Sequence, residues 1–391
     1  MLEGFPLLLV YLVALGISLL FLVGAAKTLF GAVQQKYPHL FARTKNLEIP
    51  ELGRAQDNPV ITSKHAWEAE ATLNPAALHE DGRVHLLYRA IGGDGVSRIG
   101  YASSADGVHF DDRHPDPVFA VQDPRRLRIR PTGPQMYSLA HYPSGGSWGG
   151  IEDPRMVNIN DRIYMTFNMF DGWDFIRVGL TSIAKEDFLA KRWRWNPVAY
   201  LSPAGQIHKN WMLFPEKING KFAMLHNLHG EDADHVRIEY RDELESGATS
   251  YERFESPDPH RVPDRPLAWH KRMRSAGPPP IRTPYGWLLL YHAMAHNEPH
   301  KYKMGAMLLD ENDPTRVIAR APVPVLEPIA SYEMNGAKPG IVYGCGAVVK
   351  DEQLMVYYGA ADNHVCAAAA PLTDFARTLA NHRTPSLFAL T

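Results

Sequence analysis

One short theme recurs five times along this chain: a polar or small start, a turn, then an apolar strand that ends near an aromatic residue. The copies run from Asn74 to Arg89, Asp153 to Asn168, Pro215 to Asn227, Gly277 to His292 and Cys345 to Gly359. Each reads as a β-hairpin, because runs rich in Val, Ile, Tyr, Phe and Leu are divided by Gly, Asp, Asn and Pro. Successive starts lie roughly 60 to 80 residues apart, room for a four-stranded blade with its loops. The pattern therefore predicts an all-β chain, a five-bladed β-propeller over residues 61–391. A β-sandwich with unrelated hairpins is the alternative that the pattern leaves open.

In a propeller the first strand of each blade lines the central channel, so polar residues far apart in sequence converge on one pocket. Asn74, Asp153, Lys217, Tyr291 and Asp362 become neighbours on this argument. Edged by Trp148, Trp173 and Trp211, such a pocket suits a polyhydroxylated ligand, since aromatic faces stack on sugar rings.

Residues 1–30 have a different character. From Phe5 to Ala26 no residue is charged and most are Leu, Val, Ala, Ile or Phe. About twenty residues at ~1.5 Å rise cover the hydrocarbon core of a bilayer, so the run predicts an N-terminal transmembrane helix. A cleaved signal peptide is the competing reading, but Glu3 stands where basic residues belong. Lys27, Lys36, Arg43 and Lys45 follow the span and no basic side chain precedes it. That asymmetry predicts a single-pass membrane protein whose catalytic body is cytoplasmic. Residues 31–60, interrupted by Pro38, Pro50 and Pro59, read as a linker.

With 41 Lys and Arg against 43 Asp and Glu, the overall charge does not suggest a nucleic-acid partner, and the run Arg125 to Arg130 reads as a solvated loop. Cys345 and Cys366 are too few for a disulfide framework. The eighteen histidines show no paired ligand spacing, so no metal is implied.

Several ordered motifs carry a family resemblance: Asn74-Pro75-Ala76-Ala77, Leu86-Leu87-Tyr88-Arg89-Ala90, Ser97-Arg98-Ile99-Gly100-Tyr101-Ala102 and Gly150-Ile151-Glu152-Asp153-Pro154-Arg155. Leu213-Phe214-Pro215-Glu216-Lys217, Gly277-Pro278-Pro279-Pro280-Ile281, Leu290-Tyr291-His292 and Tyr357-Tyr358-Gly359-Ala360-Ala361-Asp362 continue it. Over roughly residues 60 to 375 the chain resembles glycoside hydrolase family 130, and several motifs in order are more specific than any one of them. The resemblance implies a five-bladed propeller and an inverting enzyme that cleaves terminal β-mannosides, most simply a phosphorylase releasing mannose 1-phosphate.

An inverting mechanism needs one protonated carboxyl for the leaving oxygen and an attacking group on the opposite ring face. Asp153 matches the family's acid, which acts through a sugar hydroxyl that relays its proton. Asn74, Arg89 and Asp362 match positions that hold the mannose hydroxyls. Glu152 flanks the acid, with Arg155 read as a loop-positioning residue, and Arg98 is a further substrate-binding candidate. Lys217 and Tyr291 match phosphate-contacting positions, with His292 adjacent. The family's phosphorylases carry an arginine upstream of Phe-Pro-Glu-Lys, and Asn196 to Trp211 contains none, so His208 and Lys209 are its substitutes.

Phosphate is thus expected as a co-substrate and no cofactor is implied. The run Lys209-Asn210-Trp211 is also similar to the related β-mannosyltransferases. Hydrolysis by water, mannosyl transfer to a membrane-associated glycan, and a propeller that binds glycans without cleaving them are the alternatives.

Overall fold

The computed structural model describes residues 48–382 except 124, 126, 128–132, 134–145, 173–174, 229–235, 245–268, 270–271 and 296. Twenty strands dominate these residues. In chain order they are β1 (Gly53–Arg54), β2 (Ala71–Glu80), β3 (Arg83–Ile91), β4 (Val96–Ser104), β5 (Asp112–Arg113), β6 (Gly149–Ile159), β7 (Arg162–Phe170), β8 (Ile176–Ala184), β9 (Ala199–Tyr200) and β10 (Met212–Leu213). They continue with β11 (Phe222–Leu228), β12 (Val236–Arg241), β13 (Arg272–Ala276), β14 (Ile281–Thr283), β15 (Gly286–Met294), β16 (Lys303–Leu309), β17 (Val317–Arg320), β18 (Val342–Lys350), β19 (Gln353–Ala360) and β20 (His364–Pro371). Three short helices, α1 (Lys185–Leu189), α2 (Ser331–Met334) and α3 (Leu372–Ala380), punctuate them.

All five sequence copies form antiparallel hairpins: β2–β3, β6–β7, β10–β11, β14–β15 and β18–β19. They do not form five blades. The described strands make four sheets of eight, three, five and four strands, and no closed propeller is seen among them. The first two copies share one sheet because β4 pairs in parallel with β6, Val96 opposite Gly149 and Ser97 opposite Gly150. Counting repeats could not foresee this join. It requires Gly150, whose φ is +112° and on which a Cβ would come within 2.2 Å of Ser97 O.

The expected membrane helix is corrected as well. No helix among the described residues is long and apolar enough to cross a membrane, and residues 5–26, on which that reading fell, lie outside the described residues. The membrane partner and the single-pass placement with a cytoplasmic body therefore gain no helix to rest on.

One residue of the second strand in each of three hairpins sets the sheet packing. Tyr88, Phe167 and Tyr291 lie flat against Gly100, Gly179 and Gly305 of the next strand, where a Cβ would fall within 2.4 to 2.5 Å of the ring. Each ring is 2 % exposed or less. Because side chains alternate along a strand, the residue after each aromatic turns to the opposite face. Those residues are Arg89, Asn168 and His292.

The first strands approach one another closely. A Cβ on Gly346 of β18 would stand 2.5 Å from Ala77 N and 2.6 Å from Pro75 O, both backbone atoms of β2. Gly346→Ala is expected to lower unfolding free energy by about 1–3 kcal/mol, the range of overpacked sites. Gly93→Ala, which meets nothing within 4 Å, should stay within about 0.5 kcal/mol of wild type. Urea denaturation of both checks the contrast, and equal midpoints would refute the close approach.

Candidate active site

Two of the convergent side chains are aimed by the same local device. β2 carries a bulge between Leu73 and Ala76, and β6 carries one between Glu152 and Arg155. Asn74 and Asp153 occupy these bulges with left-handed φ values of 46° and 47°, each followed by a proline. A bulge re-aims a side chain that regular pleating would send elsewhere. Here it turns the two toward each other, so that Asn74 Nδ2 donates to Asp153 Oδ1 at 2.8 Å. Gly359 of β19 leaves room for this contact, since a Cβ there would meet Asn74 Oδ1 at 2.1 Å.

Arg89 of β3 is 2 % exposed and ties the cluster together. Its Nη2 donates to Glu152 Oε1 at 3.0 Å and to Ser147 Oγ at 2.9 Å, its Nη1 to Asp153 Oδ1 at 3.3 Å, and its Nε to Ser97 Oγ at 2.8 Å. Glu152 is fully buried, and Lys209 Nζ donates to its other oxygen at 3.1 Å. Asp362, with φ 52° just beyond β19, is 6 % exposed and faces Arg89 electrostatically. Asn74, Arg89, Glu152, Asp153, Lys209 and Asp362 therefore share one buried polar site.

The two aspartates are pushed in opposite directions. Burial raises the Asp153 carboxyl, but Arg89, Lys209, the Asn74 amide and Arg155 together outweigh it and hold it below the usual carboxylate range. Burial also raises Asp362, and there Lys338 and Arg89 do not overcome it, while Asp153 and Glu152 add to the rise. Asn74 Oδ1 is buried with no hydrogen-bond partner. A buried acceptor left unsatisfied costs about 1–3 kcal/mol.

The remaining expected residues stand apart. Lys217 lies exposed in the β10–β11 turn with its ammonium 4.3 Å from the Phe222 ring centroid. Tyr291 belongs to the apolar cluster of Phe214, Trp287 and Met307 and stacks on Trp269 at 6.0 Å. Sheet alternation, which sends His292 inward, is what sends Tyr291 away. Arg98 is held by Asp94 at 2.9 Å and by Val96 O.

His292 is fully buried, yet its ring offers no cation. Its Nε2 accepts from Gly344 N at 2.9 Å, its Nδ1 meets Ser275 Oγ at 3.1 Å, and burial with Arg155 nearby pushes its pKa down to about 3. Of the three tryptophans expected at the rim, Trp211 is 2 % exposed within an apolar cluster and Trp173 lies outside the described residues.

Other residues join the site that motif reading passed over. Asn168 Nδ2 donates to Asn210 Oδ1 at 2.9 Å and lies 3.5 Å from Asp153 Oδ2, while its Oδ1 accepts from Asn210 N at 2.8 Å. Its signal was present, because it closes its copy as Arg89 closes the first. Arg155 proves more deeply engaged than a loop-positioning salt bridge: it donates to Asp153 O at 3.1 Å, Gly277 O at 2.9 Å and Ala276 O at 3.2 Å, joining β6 to the end of β13.

Paired carboxyl groups of divergent acidity on an all-β scaffold are the groups that acid-assisted cleavage of a glycosidic bond employs. Comparison with known proteins makes this specific. The family profile described as beta-1,4-mannooligosaccharide phosphorylase, that of glycoside hydrolase family 130, matches residues 141–379. A 1,2-beta-oligomannan phosphorylase of Thermoanaerobacter sp. (strain X514) is 34% identical over 335 residues, 83% of this chain and 98% of that protein. A beta-1,4-mannooligosaccharide phosphorylase of Ruminococcus albus is 26% identical over 84% of this chain and 91% of its own. Among solved structures, the beta-1,2-mannobiose phosphorylase of Listeria innocua superposes with a TM-score of 0.62 at 24% identity, covering 84% of this chain and 99% of that one. The chain belongs to glycoside hydrolase family 130.

Arg89→Met would remove the cation that Glu152 and Asp153 share. It is expected to destabilise the fold by about 3–5 kcal/mol, the scale for removing one partner of a buried pair. Adding Asp153→Asn to it should recover part of that loss. Chemical denaturation of wild type and both variants measures this, and an Arg89→Met protein as stable as wild type would show that the ion cluster is not buried as described.

Proposed function

We propose that the protein is an inverting phosphorylase of terminal β-mannosides, with β-1,2-linked oligomannosides as its substrate class and mannose 1-phosphate as its product. Phosphate is the co-substrate. The observation that carries this reading is Asp153, aimed by its bulge into a buried site and bracketed by Arg89, Asn74 and Lys209, in a chain 34% identical to a 1,2-beta-oligomannan phosphorylase. Asn74, Arg89 and Asp362 hold the mannose ring, the unpartnered Asn74 Oδ1 accepting from a hydroxyl. Lys209, 22% exposed at its side chain, is the cation of this cluster that solvent reaches, and it receives the phosphate.

The charge arrangement suits the order of events. Arg89, Lys209 and Arg155 stand around Asp153 and favour its ionised form against burial. A phosphate dianion arriving beside Lys209 cancels part of that positive field and so raises the Asp153 carboxyl toward protonation. Asp153 then delivers its proton through a sugar hydroxyl to the leaving oxygen, while phosphate attacks the anomeric carbon from the opposite face. Atoms balance: the hydrogen of monohydrogen phosphate replaces the one given to the leaving sugar.

The test is incubation with β-1,2-mannobiose and, separately, β-1,4-mannobiose, with and without phosphate, read by phosphorus NMR. Mannose 1-phosphate from the β-1,2 substrate is expected; free mannose at a rate indifferent to phosphate would sink phosphorolysis in favour of hydrolysis. Asp153→Asn should lower turnover by roughly two to four orders of magnitude while the fold survives, the range for removing a general acid. Turnover near wild type would reduce Asp153 to a turn residue.

A further inference from the structure

Lys209 lies between β9 and β10, outside any strand or helix, yet its ammonium stands 3.1 Å from Glu152 Oε2. A lysine stem has several rotatable bonds, so its reach is reproducible only where its backbone is fixed. The fixing is done by β7. Thr166, Asn168 and Phe170 alternate along that strand and share one face, opposite to Phe167. They meet three successive residues of the segment, taken in reverse order. Thr166 Oγ1 donates to Trp211 O at 2.9 Å, Asn168 clasps Asn210, and the Phe170 ring centroid lies 5.9 Å from the Lys209 ammonium.

The Asn168 clasp has two bonds, and their direction is determined. Asn210 N can only donate, so the atom 2.8 Å away is the Asn168 carbonyl oxygen, and the Asn168 amide N–H faces Asn210 Oδ1 at 2.9 Å. One residue is thereby gripped through its main chain and its side chain together. The grip falls at a left-handed position, since Asn210 has φ +65°, a conformation that asparagine tolerates better than most residues. Asn168 is fully buried and stands directly opposite Glu152 in the β6–β7 ladder. One hairpin therefore carries both the carboxylate that Lys209 reaches and the amide that fixes the backbone from which it reaches.

We propose that Asn168 is a positioning residue for phosphate binding: by clasping Asn210 it holds the adjacent Lys209 ammonium beside Glu152, where the dianion is received. This rests on the reading of Lys209 as the phosphate-receiving cation. In this role Asn168 acts through Lys209 and not by contact with phosphate. An ammonium free to swing must be immobilised when the anion binds, and the clasp removes that cost beforehand.

The experiment measures initial rates of β-1,2-mannobiose phosphorolysis, against phosphate and against the disaccharide, for wild type, Asn168→Leu, Asn210→Gly, Lys209→Met and the double variant Asn168→Leu with Lys209→Met. A thermal melt of each verifies the fold. Asn168→Leu removes both clasp bonds and keeps the side-chain branching. Asn210→Gly keeps the left-handed backbone and its N–H but loses the side-chain bond, and it carries the test if Asn168→Leu does not fold.

Asn168→Leu should raise the half-saturating phosphate concentration by about tenfold or more, the scale on which one hydrogen bond to a charged group acts, with a smaller rise for Asn210→Gly. Half-saturation by the disaccharide should stay close to wild type. In the Lys209→Met background Asn168→Leu should raise the phosphate requirement no further, because residues that act through one another are not additive.

Asn168 Nδ2 also lies 3.5 Å from Asp153 Oδ2, and a loss routed through that contact would lower kcat with the phosphate requirement unchanged. That result would overturn the proposal, as would an equal rise in both requirements or a full further rise in the Lys209→Met background. All three presuppose a wild type that phosphate saturates. Wild-type turnover that is flat in phosphate would remove phosphorolysis itself, and this proposal with it.

Discussion

The guanidinium of Arg89 is the interaction on which the site depends. Glu152 and Asp153 are neighbours in sequence, and burying two adjacent carboxylates without a cation is prohibitive, since each ion loses several kcal/mol of hydration. Arg89 reaches both, and Ser147, Ser97 and Asn74 complete the hydrogen-bonding of the group. The geometry that permits this is itself delicate. Arg89 arrives from the first hairpin and the carboxylates from the second, so the parallel pairing of β4 with β6 must hold, and with it Gly150 against Ser97. Once the hairpins are locked, the bulges at Asn74 and Asp153 can aim side chains with little freedom to relax.

The same logic appears twice in purely supporting form. Glu68 accepts from Lys64 N, His65 N, the Tyr88 hydroxyl and Arg113; Glu333 accepts from Ile329 N, Ala330 N, the Tyr358 hydroxyl and Arg54. In each case a buried glutamate caps a short helical turn and anchors the hydroxyl of a tyrosine from the second strand of a hairpin. Tyr88 and Tyr358 fill corresponding places in the first and last copies, so the repeat is one of polar anchoring as well as of strands. A carboxylate satisfied by four donors in this way fixes the backbone beneath the site more tightly than apolar packing alone, because its geometry is directional.

Much of this was legible before any coordinates. The hairpins follow from alternation and turn residues, and of the five residues expected to converge Asn74, Asp153 and Asp362 do so, with Arg89, Glu152 and Lys209 beside them, whereas Lys217 and Tyr291 do not. Sheet partnership was not legible, because the pairing of β4 with β6 depends on the path between them and leaves no mark in a hairpin pattern. Tyr291 was misread for a simpler reason. It was judged beside His292 as one motif, yet in a strand the two must face opposite ways, and comparison with Tyr88-Arg89 and Phe167-Asn168 assigns the aromatic to the core. Lys217 follows the Phe214-Pro215 turn and faces solvent.

The opposed acidities of Asp153 and Asp362 complete the picture. Both are buried, and burial alone would make both neutral. What separates them is the number of cations each one sees: Arg89, Lys209 and Arg155 converge on Asp153, whereas Asp362 has Lys338 and a share of Arg89 against the repulsion of two other carboxylates. An acid catalyst that rests ionised is useless until something cancels its cations. On the phosphorolytic reading that something is the second substrate itself, a dianion arriving where Lys209 meets solvent. Coupling the proton on Asp153 to the presence of phosphate would keep the acid silent toward a bound glycoside until the intended nucleophile is in place. Water, which carries no charge, could not switch it on in the same way, and the excess of cations around Asp153 is thus a physical basis for preferring phosphate over water in a buried site.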